Sequence, residues 1–220
     1  VKGELTGDGG AMAVTSFTRP VPRFSLPRIV CGAVLLLLVA AVYCLGVRTY
    51  AGQFVDDGFM RIVSGWFGID VPSRGLLGEI QLPAFGGALS VLILTLVVRP
   101  SARRMVHAGV VVLGTAVAAA LLKDSLERPS LGIGAGINSF PSNTIAVFVA
   151  VECAIVAAAP IAVRWWLRVV AAIVAGGFGV AVIALQWHRP TDVVAALLLA
   201  SAISMISSAL LLGDGGVRGR

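Results

Sequence analysis

Six apolar runs separated by short polar connections leave this chain few folds to choose from. A bilayer core about 30 Å thick takes about 20 helical residues to cross, and inside it each backbone N–H and C=O must find its partner within its own helix or a closed barrel. Residues 29–47, 83–98, 106–122, 142–163, 169–187 and 193–212 approach that length. The expected fold class is all-α: a polytopic membrane protein with six transmembrane helices. Composition agrees, being 58% hydrophobic and 13% charged, where a soluble domain carries about a quarter charged residues. The last five runs contain Gly, Ala and Ser along their length, and small residues let membrane helices pack closely.

The organisation follows from these runs. Residues 1–28 are rich in Gly, Thr, Ser and Pro and read as a loose cytoplasmic tail. Residues 29–212 form the membrane domain, with an outer loop at 48–82, and 213–220 form a second cytoplasmic tail. The first run follows Arg19, Arg23 and Arg28 like the basic flank of a secretory signal. Its apolar stretch is longer than a signal's and no Ala-x-Ala site follows, so it reads as a retained anchor. With both termini inside, eleven Lys and Arg fall on inner segments and six on outer ones. That satisfies the positive-inside rule and predicts a plasma (inner) membrane protein with cytoplasmic termini. The net charge of +6 is then topology and contact with anionic head groups. No basic stripe with interleaved aromatics supports nucleic-acid binding.

Within the outer loop, Val55, Phe59, Ile62, Val63 and Trp66 share one helical face, and Gln53, Asp57 and Arg61 the other. This predicts a short helix in the outer interface, with Trp66 and Phe67 at head-group depth. On the inner side, Trp165 and Trp166 read as interfacial anchors. Cys31, Cys44 and Cys153 form neither a disulfide framework nor a metal-spaced cluster, and no cofactor is expected. His107 sits at a membrane edge and reads as structural.

The topology brings three polar junctions to the outer face: Lys123 to Ser130, Phe140 to Thr144, and Trp187 to Asp192. Lys123, Arg128 and Arg189 supply positive charge suited to phosphate oxygens. Pro141 and Ser142 open a helix whose free N–H groups and dipole favour an anion. His188 and Asp192, four residues apart, fall on one side of a helical turn. A carboxylate there can hold one imidazole nitrogen and leave the other free for attack. Cationic clamps, anion-binding amides and an oriented His together describe phosphoryl transfer through a phosphohistidine. Glu152, about two turns below Thr144, is an intramembrane acid, which is costly and usually functional.

The set K-x4-R-P, then S-F-P-S, then H-R-P-T-D, across a six-span chain, resembles the type 2 phosphatidic acid phosphatase (PAP2) superfamily. That family carries Lys-x6-Arg-Pro, Pro-Ser-Gly-His and Ser-Arg-x5-His-x3-Asp blocks. The resemblance implies a PAP2-like bundle, with His188 as nucleophile and Asp192 as its orienter. It implies Lys123, Arg128 and Ser142 as phosphate ligands, with Asn143, Thr144 and Arg189 beside them. Three departures stand out. The first-block spacing is shorter, Ala181 and Val182 replace the third-block Ser-Arg, and Thr144 replaces the His that protonates the leaving group. A general acid is typically worth about 10²–10⁴ in rate, and a phosphate leaving group needs it less than an alkoxide does. The expected activity is therefore removal of phosphate from a membrane lipid phosphate, preferably a diphosphate, on a polyprenyl or glycerolipid carrier. The alternative is a non-catalytic PAP2-fold protein that binds an anionic lipid head group or partners another membrane protein.

Overall fold

The computed structural model describes residues 25–69, 74–134 and 136–212. The readings of 1–24 and 213–220 as cytoplasmic tails lie outside the described residues. Among the described residues all regular structure is helical. Helix α1 (Leu26–Val42) runs into a π-turn at Tyr43–Val47, followed by α2 (Tyr50–Trp66), α3 (Arg74–Val98) and α4 (Ala102–Ser125). Then come α5 (Asn143–Ala158), a short 3₁₀ turn at Ile161–Val163, α6 (Arg164–Ala184) and α7 (Pro190–Leu211). Among the described residues five segments are long and apolar enough to cross a membrane: Leu26–Val47, Gln81–Val98, Ala102–Ser125, Ile161–Ala184 and Pro190–Leu211. The protein is an all-α, membrane-embedded chain.

The run expected to span as 142–163 is shorter than that reading. Helix α5 has 16 residues, about 24 Å at 1.5 Å per residue, against a core of about 30 Å. Pro160 is the cause, because it disfavours helical backbone in the residue before it, and Ala159 is extended at φ −65°, ψ 158°. The helix packs on α3, α4, α6 and α7, and Ile145, Ala146, Ala150 and Ala154 are fully buried along it. Phe85, Phe148 and Phe178 join α3, α5 and α6 through ring centroids 4.9–6.4 Å apart.

The loop expected at 48–82 is mostly helix. Helix α3 begins at Arg74 and carries Pro83 in its interior rather than at its start. Apolar helices tolerate such a proline when neighbouring groups satisfy the freed carbonyl. Helix α2 is capped by Thr49, whose Oγ1 accepts from Gly52 N at 3.0 Å. Its amphipathic pattern is oriented the opposite way from a helix that buries its apolar stripe. Gln53, Asp56, Asp57 and Ser64 face the protein. Val55, Phe59, Ile62 and Trp66 are 48–76% exposed. Two residues depart from this: Val63, assigned to the apolar stripe, is buried at 3%, and Arg61, assigned to the polar one, is exposed. The Ser64 hydroxyl fastens α2 to α6 by donating to Ala184 O at 2.9 Å.

Helices α3 to α7 alternate in direction, and α1 runs alongside α7. Arg28, Arg99, Arg104, Arg164 and Arg168 therefore gather at one end of the bundle, and Arg128, His188 and Asp192 at the other.

Candidate functional site

Two helix N-termini meet at the His188 end. Ser142 caps α5, accepting from Ile145 N with its own Oγ at 3.3 Å. Its backbone N–H donates to Asp192 O in the first turn of α7, at 3.1 Å. The contact brings the positive dipole ends of α5 and α7 together.

His188 precedes α7 instead of lying within it. Helix α6 ends at Ala184, Gln186 turns through the left-handed region at φ 56°, and the N–H groups of Trp187 and His188 both donate to Val182 O. Arg189 is then the cap residue and Pro190 opens the helix. The proximity of His188 and Asp192 thus comes from capping geometry, not from a shared helical face. Asp192 is fully buried. Its Oδ2 accepts from Arg189 N at 3.0 Å and from the Ser139 hydroxyl. His188 Nδ1 stands 3.7 Å from the same oxygen, beyond hydrogen-bond reach but within ion-pair range.

Arg128 is the centre of the site, its side chain 1% exposed. Nη2 lies 3.4 Å from Asp56 Oδ2 and 3.9 Å from Asp192 Oδ1. Its Nε and Nη1 are buried and hydrogen-bond to nothing among the described residues. Burial pushes this guanidinium below its ordinary pKa, against the Asp192 and Asp56 charges, with Arg189 adding to the fall. It stays protonated all the same. Several contacts hold the segment that carries it. Tyr43 OH donates to Glu127 O at 2.8 Å, and Gln53 Nε2 donates to Pro129 O at 2.9 Å. Asn138 Nδ2 donates to Lys123 O at 2.9 Å and to Leu126 O at 2.7 Å.

Asp56 was not anticipated from the sequence. It reaches in from α2 and receives Thr191 N at 2.9 Å on Oδ1 and Thr191 Oγ1 at 2.6 Å on Oδ2. Burial raises its pKa above the usual carboxylate value. The Thr191 hydrogen bonds oppose this, Asp192 adds to it, and Arg128 opposes it. Ser139, Thr191 and Gln53 were missed as well. Ser139 and Thr191 lie inside S-F-P-S and H-R-P-T-D but carried no role there, and Gln53 is an ordinary polar residue of α2 that only the fold brings here.

The other expected ligands divide. Arg189 is buried, and its Nη1 donates to Ile137 O at 3.4 Å. Ser142 is fully buried and its hydroxyl serves the α5 cap. Asn143 and Thr144 are half-buried, and Asn143 Oδ1 has no hydrogen-bond partner among the described residues. Lys123 is half-buried, and its ammonium joins no ion pair or hydrogen bond among the described residues. Glu152 is buried at 8% exposure, farther along α5. His107, at the opposite end, is buried with Nδ1 2.9 Å from Ser207 Oγ.

An apolar cleft of about 220 Å³ adjoins the site, lined by Leu36, Val39, Tyr43, Leu122, Leu126 and Phe140 among others. Phe140 joins the two regions, since Pro141 and Ser142 follow it directly.

Fold and site together define a polytopic helical membrane protein with a buried arginine–carboxylate–histidine cluster at one end. Compared with models of known protein families, with characterised proteins and with solved structures, the chain matches none of them.

Proposed function

We propose that this protein is a PAP2-like membrane phosphatase of six spans. It removes phosphate from a lipid phosphate or diphosphate through a phosphohistidine on His188. The carrying observation is Arg128: two buried guanidinium donors with no hydrogen-bond partner among the described residues share one cluster with Asp192 and His188, where two helix N-termini meet. That combination suits a tetrahedral anion.

In this reading Arg128 Nη1, on the side of the guanidinium away from Asp56, donates to a non-bridging phosphate oxygen. Asp192 favours the proton on His188 Nδ1, leaving Nε2 to attack phosphorus. A P–N bond forms as the P–O bond to the leaving group breaks, and water then displaces the histidine to release phosphate. The lipid chain runs into the cleft beneath Phe140. Thr144 cannot protonate the leaving group, so diphosphates, whose leaving group is itself a phosphate, are preferred. The arginine-rich opposite end supports cytoplasmic termini and a site on the outer face of the plasma membrane.

A second reading draws on Asp56, which already takes Arg128 Nη2, and on Thr144. The site would then hold an anionic lipid head group without turning it over, alone or as a subunit of a membrane complex. Phosphate release from lipid mono- and diphosphates by the purified protein and by His188→Ala separates the two. The enzyme reading expects release that the variant loses. Background release from both proteins eliminates it. Phosphatidic acid turned over as fast as a diphosphate overturns the stated preference.

A further inference from the structure

The opposite end of the bundle carries a second concentration of charge, unrelated to the His188 chemistry. Arg28 at the start of α1, Arg99 just past α3, Arg104 on α4 and Arg168 on α6 all lie close enough to Arg164 to repel its guanidinium. Arg164 cannot swing away, because its Nε donates to Ala159 O and its Nη2 to Ala157 O, both at 3.0 Å. These bonds close the C-terminus of α5 and fix a positive charge among the other four. Among the described residues the aspartates all lie toward the His188 end, and Glu79 and Glu127 with them. Glu152 lies within α5, short of the arginine end. Like charges held together in this way favour a ligand that brings negative charge.

A cleft opens at the same place. It has a volume of about 260 Å³ and is lined by Leu94, Thr95, Val98, Arg99 and Pro160. Its walls are mostly apolar side chains of α3 and the proline between α5 and α6, on the exposed surface of the bundle. One of the clustered arginines stands at its rim. Charge on top and an apolar slot beneath are the two halves of a phospholipid.

We propose that this end binds one anionic phospholipid, its head-group phosphate among Arg99, Arg104 and Arg164 and an acyl chain in the cleft against Leu94 and Val98. Basic pockets between helices are a recurring way to hold anionic head groups. A general preference of basic loops for acidic membranes needs no cleft, and this distinction makes the site testable.

The test uses the full-length protein in detergent, titrated with phosphatidylglycerol or phosphatidylcholine and read by native mass spectrometry. Phosphatidylglycerol should bind with one saturable equivalent and phosphatidylcholine should not. Among the described residues the Arg99 and Arg104 side chains make no hydrogen bond or ion pair, unlike Arg164, so Arg99→Gln/Arg104→Gln is the charge variant. Losing both charges should weaken binding about thirtyfold. Val98→Trp fills the cleft without changing any charge, and should weaken binding by itself. Equal binding of the two lipids overturns the proposal whatever the variants do. So does an unaltered affinity in Val98→Trp, which leaves only unspecific attraction to charge. Displacement of the lipid by millimolar inorganic phosphate would likewise overturn it, by showing a free-phosphate site. The His188 end takes no part in this binding, so His188→Ala should bind the lipid as wild type does.

Discussion

Asp56→Asn tests whether this carboxylate competes with an incoming anion for Arg128. Asn keeps the shape: its carbonyl can accept from Thr191 N and its amide can donate to Thr191 Oγ1, so the bonds at 2.9 and 2.6 Å have successors. What disappears is a negative charge 3.4 Å from Arg128 Nη2. An anion held by Nη1, on the far side of the guanidinium, lies about 8 Å from that carboxylate. At an effective dielectric of about 20 a unit charge is repelled there by about 2 kcal/mol, about thirtyfold in affinity. Sulfate, with two charges, should therefore bind Asp56→Asn at least thirtyfold more tightly, by about that reckoning. The measurement is calorimetric titration of both proteins in detergent near neutral pH, and Arg128→Gln should abolish the binding.

The pH dependence has a defined sign. Burial, with help from Asp192, raises the Asp56 pKa above its unfolded value despite the Thr191 bonds and Arg128. Whatever stability this shift contributes is full below the unfolded pKa and is lost as pH rises through the folded one. The same protonation removes the repulsion of the anion. The gap in sulfate affinity between wild type and Asp56→Asn should thus narrow as pH falls through that window. Sulfate binding by the variant that is equal to or weaker than wild type, with thermal unfolding unchanged, refutes competition.

Two glycine pairs probe how the site is assembled. A Cβ on Gly52 would stand 2.1 Å from Leu45 O and 2.6 Å from Gly46 Cα, backbone that cannot rotate away. Gly52→Ala should destabilise the protein by about 3 kcal/mol in thermal unfolding and loosen the α2 contact that carries Asp56. Gly58→Ala on the same helix meets nothing within 4 Å and should stabilise by about 0.5–1 kcal/mol. Gly134 and Gly132 both have positive φ, at 62° and 77°, but only at Gly134 does a Cβ approach Asp57 Oδ1 (2.9 Å) and Arg189 Nη2 (3.3 Å). Each alanine should cost about 1 kcal/mol in left-handed strain. Gly134→Ala should in addition change sulfate affinity, while Gly132→Ala leaves it unaltered.

The sequence made parts of this structure legible for physical reasons that also explain what stayed hidden. Apolar run length locates α1, α4, α6 and α7 well, because the bilayer sets a length requirement. It placed the end of α5 too late, since Pro160 truncates the helix within an unbroken apolar run. It placed the start of α3 too late, because Pro83 looked like a beginning and is an interior residue. Periodicity correctly drew α2 as an amphipathic helix. It could not say that the polar stripe would face inward, because in a membrane protein lipid competes with the core for apolar side chains. Arg128, His188, Arg189 and Asp192 stood out as charged residues beside prolines at the ends of apolar runs. Asp56 and Ser139 belong to the cluster only through contacts with residues at least 53 positions away.

The hidden half of the cluster makes the visible half tolerable. A guanidinium 1% exposed without compensating charge costs several kcal/mol, so this arginine needs negative charge beside it even with no ligand bound. Asp192 supplies some, but its Oδ2 is committed to the Arg189 cap and to Ser139, and its Oδ1 is 3.9 Å away. Asp56 is nearer, and it comes from a helix outside the apolar spans. On the proposed reading, an arriving phosphate makes Asp56 redundant as a counter-charge and turns it into a source of repulsion. Ligand affinity is then set by the docking of α2 as much as by Arg128 itself. The connection between the first and second apolar runs would thereby act directly on the chemistry of the site.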